Sequence, residues 1–271
     1  MKRVIAALLC CLLLCLAACQ RQESGLRVSV LDVGQSDCIL LSQGDEHMLV
    51  DTGTAAERDA VVAELAAHGV KRLSAVLVTH PHEDHFGNAR TVLEKYEVDT
   101  LMLPDTPCEE LGYTMLVQSA HAAGVAVCTV EDEESILLGD AECRVLSAKG
   151  VQEVNDTSLV LRVAFAGSVL LFMGDCEAAA ERALLEAYGT LLDCDLLKVG
   201  HHGSRTACSE AFLQATTPQI AAISCGVDNE YGFPHAEVLA ALEGVGATVY
   251  RTDRGGTLEF FCTADQISVT E

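Results

Sequence analysis

The residues best suited to chemistry lie in Thr79-His80-Pro81-His82-Glu83-Asp84-His85. Three imidazoles and a carboxylate crowded into one short stretch suit a borderline divalent ion such as Zn²⁺, which accepts ring nitrogens and carboxylate oxygens alike. The spacing lets His80 and His82 face one side of an extended turn, while Asp84 and His85 turn toward a second point. Two later segments have the same build, with polar residues directly after an apolar run: Phe172-Met173-Gly174-Asp175 and Leu197-Lys198-Val199-Gly200-His201-His202-Gly203-Ser204. Taken alone, Gly174-Asp175 also reads as a turn or helix cap, since a helical stretch follows. Asp51 in Leu49-Val50-Asp51-Thr52-Gly53 likewise reads alone as a turn residue, and His235 after Phe233-Pro234 as a cap-region residue before a helix near Glu237.

These clusters need strands to carry them. Arg27–Leu31, Cys38–Leu41 and Met48–Val50 have β-type composition, and Ala75–Thr79 reads as a buried strand that delivers the histidine cluster at its carboxyl end. Ala55–His68 has helical spacing, with Val61, Val62 and Leu65 on one face, and Gly87-Asn88 marks a helix start. Glu109–Ala123 predicts a helix leading into the strand Val125–Cys128. The second half repeats this rhythm. Leu159–Phe165 and Val169–Met173 flank the hairpin signal Ala166-Gly167-Ser168, and then come helix Glu177–Tyr188, strand Asp195–Val199, helix Glu210–Ala215 and strand Gln219–Ser224. Glu237–Leu242, Thr248–Tyr250 and Leu258–Phe261 end the domain. Two halves of similar strands and helices predict a layered α/β sandwich.

Half of the 271 residues are hydrophobic, enough to bury one large core. The formal net charge is -23, which opposes long-range attraction to nucleic-acid phosphates and anionic headgroups. Lys2 and Arg3 precede a charge-free run from Val4 to Ala18, too short for the ~20 residues of a spanning helix and read as a secretory signal. Its end, Leu16-Ala17-Ala18-Cys19, resembles a bacterial lipoprotein signal, which implies a lipid on Cys19 and an extracytoplasmic protein anchored to a bacterial cell membrane. The expected organisation is a signal over 1–18, a tether over 19–25 and a single domain over 26–271. Loss of Lys2 and Arg3 takes the charge from -23 to -25. Beyond the signal, nine scattered cysteines form no C-x-x-C pair, and their odd number prevents complete pairing within the chain. Several sit in apolar runs and are expected to be free thiols acting as small hydrophobes.

His80-x-His82-x-Asp84-His85 resembles the first metal motif of the metallo-β-lactamase superfamily. The resemblance implies an αβ/βα four-layer sandwich holding two divalent ions, Zn or Mn. His80 and His82 would bind one ion and Asp84 and His85 the other, with Asp175 bridging them and Asp51 supporting the loop from behind. The pair His201-His202 resembles the last metal motif, with His202 expected as ligand and His201 as substrate contact. A finer likeness is to the extracellular hydrolase domain of bacterial competence proteins of the ComEC/Rec2 type. It rests on Leu31-Asp32-Val33-Gly34-Gln35-Ser36-Asp37, Asn155-Asp156-Thr157-Ser158-Leu159-Val160-Leu161, His201-His202-Gly203-Ser204-Arg205-Thr206, Tyr231-Gly232-Phe233-Pro234-His235 and Tyr250-Arg251-Thr252-Asp253-Arg254-Gly255-Gly256. Together these run from about Val28 to Phe261. One departure stands out: the superfamily's further His before the bridging Asp is missing, and Asn155 and Asp156 occupy that stretch. The first ion is then expected on His80, His82 and Asp175, completed by water or by Asp156.

The resemblance implies metal-assisted hydrolysis, in which a water acidified between two ions attacks a phosphorus or carbonyl centre. Asp84, His201 and His235 are the expected catalytic residues, with His235 protonating a leaving oxygen. Lys198, Arg205 and Arg251 are candidates for stabilising developing negative charge. The favoured substrate is a phosphodiester, either extracellular DNA or a cell-surface compound, and the absence of any Lys/Arg run argues against tracking along DNA. The rivals are a lactonase or β-lactam hydrolase using the same metals, and a non-catalytic metal- or ligand-binding lipoprotein. No protein partner is inferable.

Overall fold

The computed structural model describes residues 25–270; the signal segment and Cys19 lie outside them. One sheet contains β1 (Leu26–Val30), β2 (Ile39–Gln43), β3 (Glu46–Val50), β4 (Arg72–Leu77), β5 (Glu97–Leu103) and β6 (Ala126–Thr129). The other contains β7 (Ser135–Leu138), β8 (Ala141–Leu146), β9 (Val160–Phe165), β10 (Ser168–Phe172), β11 (Leu196–Lys198), β12 (Ile220–Ile223) and β13 (Thr248–Arg251). The chain then returns to the first sheet with β14 (Leu258–Cys262) and β15 (Ile267–Thr270). The strand orders are β15-β14-β1-β2-β3-β4-β5-β6 and β13-β12-β11-β10-β9-β8-β7.

Period-two alternation explains how the sheets stack. Ile39, Leu41, Met48 and Val50 point inward to meet Leu161, Val163, Leu170 and Phe172 of the opposite sheet. The residues between them point outward: Leu40 and Leu49 meet Val61, Leu65, Val92 and Leu116 on the helices Arg58–Ala67, Ala89–Lys95 and Leu111–Ala123. Leu171 and Leu197 do the same with Ala180, Leu184, Phe212 and Leu242 on the helices Ala178–Tyr188, Glu210–Thr216 and Ala236–Gly244. The layers therefore run helix, sheet, sheet, helix. No described helix is long and apolar enough to cross a membrane.

Each sheet is mixed, and its parallel half carries the chemistry. β3, β4, β5 and β6 run parallel, as do β10, β11, β12 and β13. Asp51, the histidine cluster, Asp175 and His201-His202 all follow carboxyl ends of these strands, so the two parallel halves bring their clusters together along one edge of the sandwich.

Several boundaries differ from expectation. The strand predicted to end at Thr79 ends at Leu77, because the Thr79 amide donates to Asp51 Oδ1 at 2.7 Å instead of to a neighbouring strand. Strands β5, β7 and β8 were not read from sequence, nor was the last strand: β15 follows Phe261 and pairs antiparallel with β14. All nine described cysteines are free thiols, seven of them buried. Burial pushes the Cys38 and Cys176 thiols up, which keeps them protonated and apolar in character.

Candidate metal centre

Asp51 organises the histidine loop. Its Oδ1 accepts the Thr79 amide at 2.7 Å, and its Oδ2 accepts Thr79 Oγ1 and His85 Nδ1, each at 2.8 Å. The buried carboxylate thereby fixes His85 with its Nδ1 protonated and its Nε2 lone pair directed forward. The His85 carbonyl accepts the Thr52 amide at 2.7 Å, so backbone and ring are both anchored. Asp51 itself is left-handed (φ 59°), a conformation short polar residues tolerate best.

His202 is fixed in the same way. Its Nδ1 donates to the Ser224 carbonyl at 3.0 Å, which leaves Nε2 as the free lone pair. His85 Nε2 and His202 Nε2 lie 3.4 and 3.7 Å from Asp175 Oδ1, and 3.7 and 3.5 Å from Asp84 Oδ2. Tetrahedral bonds of about 2.0–2.1 Å place donors roughly 3.3–3.4 Å apart, close to this set. His85 Nε2, His202 Nε2 and Asp175 Oδ1 are buried without hydrogen-bond partners. Buried polar atoms left unpaired are costly. Three converging on one point have the donor chemistry of a divalent-ion site, so the residues fit the metal.

The charges agree. Burial alone would raise the Asp175 carboxyl, but His85 and His202 hold it well below the usual carboxylate range. Burial would also raise Asp84, yet the facing His202 and nearby His85 bring it to about 2. Conversely, Asp175 and Asp51 overcome burial to lift His85, and Asp175 and Asp37 lift His202. The carboxylates and the two imidazoles thus shift one another in opposite senses, as in a pocket whose anions favour positive charge at its centre.

The other oxygen of Asp175 faces a second group. His80 Nε2 is 3.8 Å from Asp175 Oδ2 and 3.0 Å from His82 Nδ1. His80 Nδ1 lies 3.2 Å from Thr79 Oγ1, whose own proton goes to Asp51, so the hydroxyl can accept from His80 and leave Nε2 unprotonated. Burial and the nearby His85 push His80 well below the ordinary imidazole value. The turn after β10 needs glycine: Gly174 is left-handed (φ 53°), and a Cβ there would lie 2.9 Å from Ser158 Cβ.

Residues 31–227 match the Metallo-beta-lactamase superfamily. The chain belongs to that superfamily. It is similar to ComE operon protein 3 of Bacillus subtilis strain 168, 30% identical over 93% of this chain and 35% of that one. It is also similar to Competence protein ComA of Neisseria gonorrhoeae, 32% identical over 88% of this chain and 32% of that one. The chain thus spans about a third of the length of these curated relatives. The solved metallo-beta-lactamase fold protein YhfI from Bacillus subtilis superposes with a TM-score of 0.59 at 13% identity, covering 87% of this chain and 99% of that one. CmlA, a diiron beta-hydroxylase from Streptomyces venezuelae, gives 0.58 at 17% identity over 89% and 54%. Both likenesses concern the fold alone.

Within this metallo-beta-lactamase frame, several expected site residues lie elsewhere. Lys198, expected to meet developing negative charge, is fully buried and donates to Asp37 Oδ2 at 2.7 Å. A buried ammonium needs such a counter-ion, and the ion pair turns it away from the cleft. Arg205 points to Glu237 at 3.7 Å and Arg251 is clasped by Asp253 at 2.9 and 2.6 Å; neither lines the cleft. His235 Nδ1 accepts the Arg205 amide at 3.0 Å, and its ring packs edge-on behind Phe233 rather than on the cleft wall. Asp156, expected as a replacement ligand, accepts the amides of Glu177 and Ala180 at 2.9 and 3.2 Å and so caps the helix Ala178–Tyr188. Asn155 lines the cleft and donates to Glu177 Oε1 at 3.1 Å.

The sequence reading gave no role to Asp37, although it lay inside a quoted motif. Asp37 pairs with Lys198, stands 3.4 Å from His202 Nδ1, and its carbonyl accepts the Gly53 amide at 2.8 Å. The cleft above the centre has a volume of about 510 Å³. Glu83, Asp84, Asp175 and Glu230 are in its wall, with Tyr231 and Phe233 at the rim and no Lys or Arg among its described lining residues.

Proposed function

We propose that the protein is a two-metal hydrolase of a phosphodiester, held outside the cytoplasm by a lipid on Cys19. The observation that carries this reading is Asp175, whose Oδ1 faces His85 and His202 while its Oδ2 faces His80. One carboxylate set between two imidazole groups suits a pair of ions sharing a bridge. Divalent ions bound there would supply Lewis acidity and acidify a water. Asp84, His85 and His202 would hold one ion, and His80 and His82 the other. Asp51 and Ser224 keep the ring nitrogens deprotonated toward the centre.

The acidic cleft sharpens the reading. With no Lys or Arg among its described lining residues, it repels an anionic substrate until the metals reverse the local sign, so substrate binding depends on metal loading. A wall bearing Glu83 and Glu230 favours a substrate with one accessible phosphodiester over a long duplex. Single-stranded DNA is the second reading, supported by Tyr231, 58% exposed and stacked on Phe233 at 5.3 Å. Exposed aromatic faces of this kind take unpaired bases.

The test uses purified protein loaded with Mn²⁺ or Zn²⁺ and offered a chromogenic phosphodiester, single-stranded DNA and a lactone. Phosphodiester turnover that a chelator removes and added metal restores is the expected result. Turnover of the lactone alone would move the reading to carbonyl chemistry. Stoichiometric metal uptake with no turnover of any of the three would make the protein a metal-binding lipoprotein.

A further inference from the structure

We infer that His201 supplies the imidazole missing from the His80/His82 pocket, with Glu177 as the carboxylate that orients it. This rests on the two-metal reading above and assigns a ligand where the sequence pattern has none. The pocket otherwise offers two ring nitrogens and Asp175 Oδ2. Asp156 is spent on a helix terminus, and Asn155 brings an amide in place of a ring.

Three observations converge on His201. Its Nε2 lies 3.9 Å from Asp175 Oδ2, almost the distance of His80 Nε2 from the same oxygen, 3.8 Å. Its Nδ1 lies 2.8 Å from Glu177 Oε1 and 3.5 Å from Asn155 Nδ2, which leaves Nε2 on the side of the centre. The Nδ1 atoms of His85 and His202 are likewise backed by an oxygen, Asp51 Oδ2 at 2.8 Å and the Ser224 carbonyl at 3.0 Å. The backbone is also bent to this end. His201 (φ 46°, ψ 48°) and His202 (φ 53°, ψ 22°) are consecutive left-handed residues, a conformation costing a non-glycine residue about 1–2 kcal/mol.

That turn is pinned by the His201 amide on the Gly174 carbonyl at 3.1 Å, and by Gly200, where a Cβ would lie 2.5 Å from the Cys176 carbonyl oxygen. The outcome is a pair of adjacent rings straddling one carboxylate, with His202 directed to Asp175 Oδ1 and His201 to Oδ2. A residue serving only to touch substrate needs no such registration with the bridging acid. The resulting pockets differ in character. One has three imidazoles and a shared carboxylate; the other has two imidazoles, Asp84 and the same carboxylate. The nitrogen-richer pocket favours Zn²⁺ over Mn²⁺.

The test is metal binding without substrate: calorimetric titration of metal-free protein with Zn²⁺, and visible absorption of the Co²⁺-loaded protein. Wild type should take up two equivalents. His201→Ala should keep one equivalent at wild-type affinity, which also shows that the variant is folded, and weaken the other at least tenfold with a changed Co²⁺ spectrum. Glu177→Gln should weaken that same equivalent about tenfold, as outer partners of metal-bound histidine do. His201→Ala with both affinities and the Co²⁺ spectrum unchanged would overturn the assignment and return His201 to substrate contact. Fewer than two equivalents in the wild type would instead sink the two-metal reading, and this inference with it.

Discussion

The two donor groups on either side of Asp175 are built differently. On the His85/His202 side, Asp84, His85, Asp175 and His202 offer donor atoms that all lie within 4.8 Å of one another. Each ring there is held by a buried acceptor, Asp51 or the Ser224 carbonyl. On the His80/His82 side the donors meet only in pairs, and His201 and Glu177 keep 22% and 25% of their side-chain surface exposed. The denser sequence motif therefore does not define the better-assembled pocket. Assembly follows from what stands behind the ligands, because a fixed ring loses little freedom when a metal binds.

The largest effect should come from removing what the two groups share. Asp175→Asn keeps the shape of a buried side chain and deletes its charge, which leaves His85 and His202 without their main counter-ion. Both equivalents should weaken in calorimetry by more than the roughly 100-fold upper end for an outer partner. Weakening of one equivalent alone would show that Asp175 belongs to a single pocket. Asp51→Asn should separate the pockets. It removes one of two acceptor oxygens serving three donors, so the His85/His202 equivalent should fall about 10–100-fold, and stability by about 1.5–3 kcal/mol. The His80/His82 equivalent touches Asp51 only through Thr79 and should change less. Equal losses at both would break the contrast.

How much of this was legible in the sequence follows from distance along the chain. The His80–His85 loop could be read because its donors are contiguous and follow an apolar strand. The layered sandwich could be read because strands and helices alternate with clear periods. Lys198 could not be placed: a lysine at a strand end looks ready for the cleft, and its partner Asp37 is 161 positions away. Strand β5 escaped notice because Glu97 and Asp99 open it. Both lie on the exposed end of the strand, where Asp99 pairs with Arg72 at 3.0 and 2.7 Å. The missing histidine was sought between the first motif and Asp175, whereas the ring aimed at Asp175 Oδ2 comes from beyond it.

Asp156 offers the smallest and most discriminating test of the contrast between pockets. By sequence position it was a substitute ligand for the weaker side. In the structure its Oδ1 takes two amides of the first turn of the helix Ala178–Tyr188, the task of a capping side chain supplied from another segment. Asp156→Ala should therefore cost about 1 kcal/mol, the usual loss for a helix cap. In a domain of this size that lowers the thermal midpoint by about 2–4 °C. Metal titration of the same variant should still show two equivalents with the wild-type ratio of affinities. Asp156→Asn keeps an acceptor oxygen and should recover most of the midpoint. If Asp156→Ala instead weakens one equivalent while the midpoint stays put, the carboxylate reaches the metal in solution. The His80/His82 pocket would then be completed by oxygen rather than by the ring of His201.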